Sequence, residues 1–289
     1  MNRFPSYDPG GQTREPPIIE GGPNLHVQFK PRYSIYLSSE SKGEFVVNAE
    51  VSSWFGQPWP NLTSLATSPK LWFSINLVSS DDILVENSVS LNSMGNVFAF
   101  DLTRLKPSFQ PYEVVLFGAA EAGEPNITAT SQLWYLPEKT NGSVTKLDNL
   151  NGGLWFRNPV TNGSFVPLLP YGFYSSGDDS FLSASDNIQK VQAYQDLGLN
   201  GIIPLTPIFK NQPVFEYMDK IDLKFMYDLR DYYKNLTAVQ EQVSAIKDYD
   251  ALFSYWGADE YVPHTPCVFD SPLTCAGRTA GRTPSTEPC

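Results

Sequence analysis

The sequence predicts a chain of two fold classes, a β-rich amino-terminal half followed by an α/β carboxyl-terminal half. Short β-prone runs separated by turn residues fill positions 25–140, and no helix-length apolar periodicity interrupts them. Over positions 165–260, strand patterns alternate with helical patterns, which is typical of a parallel sheet with helical crossovers. The Asn- and Gly-containing stretch 141–164 lies between them, and we interpret it as an exposed connection.

Five runs in the amino-terminal half alternate apolar and polar residues at the period of a strand with one buried face. Their positions are 44–51, 71–77, 96–102, 112–118 and 128–136. Their spacing is typical of an antiparallel β-sandwich. Trp72 lies in the middle of a run, so we expect it in the core. Trp54 and Trp59 lie near a turn, and a sugar-stacking surface formed by tryptophans is the less favoured interpretation.

The carboxyl-terminal half contains four strand patterns and three helical patterns in strict alternation. Strands are predicted at 167–174, 202–208, 224–229 and 251–260, and helices at 185–197, 214–221 and 237–246. Thr237 and Gln240 fit a capping box for the third helix. The pattern leaves open whether the sheet stays open or closes into a (β/α)8 barrel. In both forms, ligand chemistry belongs at the carboxyl ends of the strands.

Polar residues follow or end the predicted parallel strands, where a site is expected. These residues are Tyr174, Thr206, Asp228, Arg230, Asp259 and Glu260. Strand alternation places Trp256 on the same face as Glu260, and an aromatic ring beside a carboxylate suits a sugar. Two alternatives stay open: Asp228 forms a structural pair with Arg230, and Glu260 is a helix-capping or solvent-facing acid.

Residues 165–260 resemble the first half of the catalytic barrel of the clan of (β/α)8 retaining glycoside hydrolases. The resemblance rests on Pro-Tyr-Gly-Phe-Tyr at 170–174, on Leu-Gly-Leu-Asn-Gly-Ile-Ile at 197–203, and on the acid that ends the fourth strand. It implies that Glu260 is the general acid/base and that Asp259 takes the position of the family's Asn. This departure replaces a neutral amide with an acceptor-only carboxylate and sets a like charge beside Glu260.

The same resemblance implies a sugar site lined by Asp228, Arg230, Trp256 and Asp259, and a carbohydrate substrate. The amino-terminal strands resemble the immunoglobulin-like β-sandwich modules that precede the barrel in some members of the clan. We therefore expect a multidomain protein, an antiparallel β-sandwich followed by a partial (β/α)8 TIM-type barrel. Its segments are a disordered leader at 1–24, the sandwich at 25–140, the connection at 141–164, the half barrel at 165–260 and an irregular tail at 261–289.

The tail contains five prolines and all three cysteines, and it shows neither helical nor strand periodicity. The family's second catalytic acid, a Glu at the end of strand 7, has no counterpart. We therefore expect that the chain is truncated after the fourth strand, with a frameshifted or intron-derived tail, and turns over little or no substrate. Two other classes stay open: a non-catalytic carbohydrate- or protein-binding sandwich, and an inert fragment.

Composition excludes several other classes of function. The net charge of -11 and the pI near 4.6 disfavour nucleic acid and anionic membrane surfaces as partners. No apolar run approaches the ~18 residues that span a bilayer. The two histidines support no nucleophilic triad, and no phosphate-binding or dinucleotide fingerprint is present, so we expect no cofactor. The spacing of Cys267, Cys275 and Cys289 does not match a zinc site, so we expect no metal.

Five Asn-x-Ser/Thr sequons indicate passage through the secretory pathway. They begin at Asn61, Asn126, Asn141, Asn162 and Asn235. Positions 1–24 lack the apolar core of a signal peptide, so we expect a secreted parent protein whose first exon is missing or miscalled. Chance occurrence of the sequons is the alternative. The sequence predicts neither the sugar, the linkage nor the oligomeric state.

Overall fold

The computed structural model describes residues 23–59, 69–120, 127–176, 182 and 185–257. The described amino-terminal part consists of strands and a short 3-10 turn, whereas strands alternate with α-helices in the carboxyl-terminal part. The predicted division into a β-rich half and an α/β half is therefore confirmed at this level. Within these ranges, no helix combines the length and apolar character needed to cross a bilayer.

The described residues of the amino-terminal part form ten strands, which we call the β unit. They are β1 (Asn24–Pro31), β2 (Tyr36–Leu37), β3 (Lys42–Ser52), β4 (Gln57–Pro58), β5 (Lys70–Leu77), β6 (Ile83–Ser90), β7 (Val97–Asp101), β8 (Tyr112–Ala120), β9 (Ile127–Leu133) and β10 (Tyr135–Leu136). Two four-stranded antiparallel sheets contain eight of them, in the orders β4-β1-β3-β7 and β6-β5-β8-β9. Strands β2 and β10 pair in parallel.

The two four-stranded sheets share one hydrophobic core. Phe45 of the first sheet stacks on Phe100 with their ring centroids 4.4 Å apart, and Leu71 and Ile75 of the second sheet are fully buried in the same cluster. Trp72 was expected in the core, and this prediction was wrong, because 45% of its surface is exposed. Its neighbours Leu71 and Phe73 face the core, so strand alternation turns Trp72 outward.

The stretch predicted as an exposed connection, 141–164, is instead largely structured. Strands β11 (Val144–Leu147), β12 (Leu154–Arg157) and β13 (Val166–Leu168) form a three-stranded antiparallel sheet. Lys146, Asp148 and Phe156 are each no more than 2% exposed. The prediction was wrong because the buried polar side chains find distant partners: Lys146 pairs with Glu40 of the β unit. The strand predicted at 167–174 is also divided, because residues 167–168 belong to β13 and residues 172–174 belong to the next strand.

Up to residue 257, where the description ends, the described residues of the α/β unit form four parallel strands that alternate with three helices. They are β14 (Gly172–Ser176), α1 (Asn187–Asp196), β15 (Gly201–Leu205), α2 (Ile208–Lys220), β16 (Lys224–Asp228), α3 (Leu236–Ile246) and β17 (Leu252–Trp256). The strands lie in chain order within one sheet. Apolar helix residues such as Val191, Val214 and Ile246 share a buried cluster with Ile202 and Phe225 of the sheet.

The N-cap of the third helix lies two residues before the predicted one. Asn235, not Thr237, is the N-cap, and its side-chain oxygen accepts a hydrogen bond from the backbone N–H of Ala238 at 3.2 Å. An Asn side chain caps at least as well as Thr, and it satisfies one of the free N–H groups of the first turn. Thr237 and Gln240 therefore do not form the predicted capping box.

The three-stranded sheet contacts the α/β unit at the loops that lead into β16 and β17. The side-chain amide of Asn158 is buried and donates to Asp222 Oδ1 at 2.9 Å and to the carbonyl of Asp250 at 3.0 Å. The hydroxyl of Ser143 donates to the carbonyl of Leu252. These buried bonds tie the amino ends of β16 and β17 to the preceding sheet.

Candidate functional site

The candidate site lies at the carboxyl edge of the parallel sheet, where β16 and β17 end side by side. Asp228, the last residue of β16, pairs in register with Trp256, the last residue of β17. Paired residues of neighbouring parallel strands point to the same face of the sheet. The side chains of Asp228 and Trp256 therefore leave the sheet on one side.

Arg230 holds the carboxylate of Asp228 in a two-point contact. Its Nε donates to Asp228 Oδ1 at 2.9 Å and its Nη2 donates to Asp228 Oδ2 at 3.0 Å. The backbone N–H of Arg230 also donates to Oδ1 at 3.0 Å. The Asp228 side chain is 11% exposed, and such parallel, charge-assisted bonds fix both groups. This is the structural pair that the sequence left open for Asp228.

The guanidinium of Arg230 also lies over the indole of Trp256, with its central carbon 4.4 Å from the ring centroid. A cation over an indole face is attracted by the ring quadrupole, and the planar guanidinium stacks well there. The Arg230 side chain keeps 27% of its surface exposed. Asp228, Arg230 and Trp256 therefore form one connected cluster, which we call the rim cluster.

A buried tyrosine, Tyr227, precedes Asp228 in β16 and anchors this strand. Tyr227 is fully buried; its hydroxyl donates to Gln242 Oε1 of α3 and accepts from the backbone N–H of Ile208 at 3.0 Å. Burial raises the pKa of Tyr227 to about 12, so this phenol stays neutral over the physiological range. The bonds tie β16 to the first residue of α2 and to α3.

Sequence reasoning missed Tyr227 and Gln242, although one signal was present. Gln242 lies between Val239 and Val243, on the helix face that also carries Ile246, and it is 5% exposed. A polar residue within a buried helical stripe needs a hydrogen-bond partner. That requirement predicts a polar group opposite α3.

Two of the six predicted polar residues lie elsewhere on the sheet. Tyr174 of β14 is 67% exposed. Thr206, which follows β15, is buried, and its hydroxyl accepts a hydrogen bond from Asn211 Nδ2 at 3.1 Å. Two more of the six, Asp259 and Glu260, lie outside the described residues. The structure thus brings together Asp228, Arg230 and Trp256 of the five predicted site residues.

The rim cluster has the chemistry of a binding surface. It offers an aromatic ring, a cation and a carboxylate whose oxygens are already used by the cation. Among the described residues, no group of three or more His, Cys, Asp or Glu side chains could hold a metal ion.

No protein-family model and no curated protein sequence matches the chain. Solved structures of glycosidases are its structural neighbours. They include a β-glucuronidase from Parabacteroides merdae, at 11% identity and a TM-score of 0.30, covering 80% of this chain and 29% of that one. An FMN-binding β-glucuronidase from Facaelibacterium prausnitzii has 13% identity and a TM-score of 0.27, with coverages of 81% and 34%.

A β-glycosidase from Bacteroides vulgatus shows 9% identity and a TM-score of 0.28, covering 85% of this chain and 30% of that one. The chain spans about a third of the length of these enzymes. The likeness is one of coarse fold.

Proposed function

We propose that the chain is a glycoside-hydrolase-like protein, in which the two four-stranded sheets are an immunoglobulin-like sandwich and the parallel sheet is the first half of a (β/α)8 barrel. The observation that carries the proposal is the rim cluster. The guanidinium of Arg230 lies over Trp256 at the end of the sheet where parallel α/β folds bind ligands. The alternation of β14 to β17 with three helices supports the half barrel.

In this proposal, the rim cluster binds a sugar and Glu260 performs acid/base chemistry on it. The C–H groups of a pyranose pack on an indole, and a guanidinium donates to hydroxyl oxygens. Glu260 follows Trp256 by four residues along the chain. Its carboxylic acid protonates the leaving oxygen as the glycosidic bond breaks.

A retaining glycosidase needs a second carboxylate ~5–5.5 Å from the acid/base to attack the anomeric carbon. Asp228 does not suit that role, because both of its oxygens accept hydrogen bonds from Arg230. We therefore propose that the rim cluster binds carbohydrate, and that hydrolysis of O-glycosidic bonds needs a second carboxylate other than Asp228.

Tryptophan fluorescence tests the binding step, because a sugar stacked on Trp256 changes the emission of that indole. The chain is titrated with a panel of methyl glycosides, beside Trp256→Phe and the matched control Trp72→Phe. Trp72 is also partly exposed but lies in the β unit. A saturable change in the wild type and the control, lost in Trp256→Phe, supports the proposal. A change that persists in Trp256→Phe contradicts it.

A second candidate function, a carbohydrate-binding β unit, is favoured by a polar groove on the face of β1 and β3 opposite the core. The groove has a volume of about 420 Å³, and His26, Gln28, Lys30, Asn48 and Asn149 line it. Asn48 Nδ2 donates to Gln28 Oε1 at 3.3 Å. Amide side chains both donate and accept, as sugar hydroxyls do.

A glycan array with the full chain distinguishes the two candidates. Binding that Gln28→Ala removes and Trp256→Phe leaves intact places the sugar in the groove. Gln132→Ala is the matched control, since Gln132 is an exposed amide on the other sheet. Binding that depends on Trp256 alone favours the rim cluster.

We propose a secreted location, which the sequons on Asn141, Asn162 and Asn235 support. All three side chains are exposed in the structure, as an attached glycan requires. Expression in a secreting eukaryotic host behind a supplied signal peptide tests this proposal. A mass decrease on treatment with peptide N-glycosidase is expected, and an unchanged mass would contradict it.

A further inference from the structure

A cleft lies between the β unit and the loop that joins α3 to β17. Its volume is about 560 Å³, which falls within the range of small-molecule sites. The residues that shape it include Leu37, Phe109, Leu136, Lys139, Val144 and Lys247. Lys247 lies ahead of β17, whereas Trp256 ends that strand. The cleft is therefore separate from the rim cluster by the length of β17, roughly 15 Å.

The walls of the cleft are largely apolar. Leu37 and Val144 are buried at its base, with 2% and 7% of their surface exposed. Phe109 lines the same cleft with 75% of its surface exposed. An exposed phenyl ring beside a concave apolar surface gains from being covered by an apolar ligand. The shape and lining thus favour a ligand with an aromatic or aliphatic body.

Lys139 places a positive charge in this apolar wall. Its half-buried Nζ donates to the carbonyl oxygens of Ser143 at 2.8 Å and of Lys247 at 2.7 Å. An ammonium group has three N–H donors, so one is left for another acceptor. In the part of the chain that the structure describes, no carboxylate forms an ion pair with Lys139.

The other charged side chains of the cleft are already neutralised. Glu138 pairs with Arg157, and Asp248 pairs with Lys247 at 2.7 Å. Burial lowers the pKa of Lys139 despite the opposing attraction of Asp248 and Asp250. An anion bound at Nζ would offset this desolvation. Among the charged side chains that line the cleft, that of Lys139 is therefore the one without an ion-pair partner in the described part of the chain, and Asp250, which also attracts it, lies outside the lining.

We propose that this cleft binds a small aromatic monoanion, with its ring against Leu37, Leu136 and Phe109 and its carboxylate on Lys139. A ligand with an apolar body and one anionic end matches both the apolar walls and the ammonium group of Lys139. A cation would place like charge beside Lys139, and a neutral ring would leave the third N–H without its strongest acceptor. This site is independent of the proposed sugar chemistry.

Isothermal titration calorimetry with 2-naphthoate tests the proposal, and 2-naphthamide is the neutral ligand of matched shape. Saturable binding of one naphthoate per chain is expected, with the amide at least tenfold weaker. Lys139→Met keeps the apolar stem and removes the charge, so it should weaken naphthoate binding at least tenfold. Lys106→Met, which alters an exposed lysine outside the cleft lining, is the matched control and should bind as the wild type does.

Thr140→Trp provides a second variant that does not depend on the bonds of Lys139. Thr140 is exposed and lines the cleft, so an indole there fills the space without entering the core. This variant should abolish binding of both ligands while keeping the thermal unfolding midpoint of the wild type. Absence of saturable naphthoate binding to the wild type, or equal binding by wild type and Thr140→Trp, would overturn the proposal.

Discussion

The guanidinium carbon of Arg230 lies 4.4 Å from the centroid of the Trp256 indole, so one side chain joins the ends of two parallel strands. Arg230 reaches this position because the carboxylate of Asp228 holds its guanidinium group through two hydrogen bonds. The first prediction concerns this dependence. Replacing Arg230 with Ala leaves a largely buried carboxylate without its principal partner.

We expect Arg230→Ala to lower the free energy of unfolding by about 1–3 kcal/mol, measured by urea denaturation. Arg230→Lys should recover only part of the loss, because an ammonium cannot form the two parallel bonds. Lys210→Ala alters an exposed cation elsewhere in the α/β unit and should change the value by less than about 0.5 kcal/mol. Equal effects of Arg230→Ala and Lys210→Ala would show that the cluster adds no stability.

The second prediction concerns Tyr227 and Gln242. Tyr227→Phe leaves the buried amide of Gln242 and the N–H of Ile208 without their partner, which should cost about 1–3 kcal/mol of unfolding free energy. Tyr174→Phe removes an exposed hydroxyl from the same sheet and serves as the control. The double variant Tyr227→Phe/Gln242→Met should be more stable than Tyr227→Phe alone. No recovery would argue against an unsatisfied amide as the cause.

Buried phenols predict a loss of stability at high pH. Burial raises the pKa of Tyr227 to about 12 and also raises the pKa of Tyr36, against an ordinary value of about 10. The folded state therefore holds these protons more tightly than the unfolded state. The contribution of these protonated phenols to the free energy of unfolding is complete below pH ~10, the pKa of an exposed tyrosine. It is lost as the pH rises toward their pKa in the folded state.

Absorbance at 295 nm during an alkaline titration checks this expectation. A fraction of the tyrosines should ionise only as the chain unfolds, and Tyr227→Phe should make that fraction smaller. Simple titration of every tyrosine near pH 10, without unfolding, would contradict the burial of Tyr227 and Tyr36.

Gly172 provides a steric prediction. A Cβ on Gly172 would lie 1.6 Å from the carbonyl oxygen of Gly201, whereas a Cβ on Gly201 would meet Pro170 at 3.1 Å. Gly172→Ala must therefore push β14 away from β15, and we expect a loss of more than about 3 kcal/mol. Gly201→Ala should be milder. Thermal unfolding of both variants tests the order, and the reverse order would contradict the close approach of β14 and β15.

Much of the fold follows from local patterns in the sequence. The apolar periodicity around Val191, Val214 and Val243 predicts three helices, and the stops between them predict the strands that the structure contains. The predicted boundaries differ by a few residues because several residues near a helix start can act as its N-cap. The side chain of Asn235 thus begins α3 ahead of the predicted Thr237.

The exceptions arise where long-range contacts override the local pattern. Nothing near Lys146 in the sequence reveals that Glu40, more than a hundred positions earlier, pairs with its ammonium group and offsets the cost of burying it. The error at Trp72 is of another kind, because the local alternation of β5 itself turns this large aromatic residue outward. At the site, strand ends predicted Asp228 and Trp256, whereas the placement of Arg230 over the indole depends on the register of β16 and β17.

The most direct measurement is a crystal structure of the chain soaked with a methyl glycoside chosen from the fluorescence titration. We expect a sugar ring against Trp256 and Arg230, with the carboxyl group of Glu260 within hydrogen-bond distance of the glycosidic oxygen. A sugar bound only in the groove of β1 and β3, or a Glu260 side chain remote from the rim cluster, would contradict it.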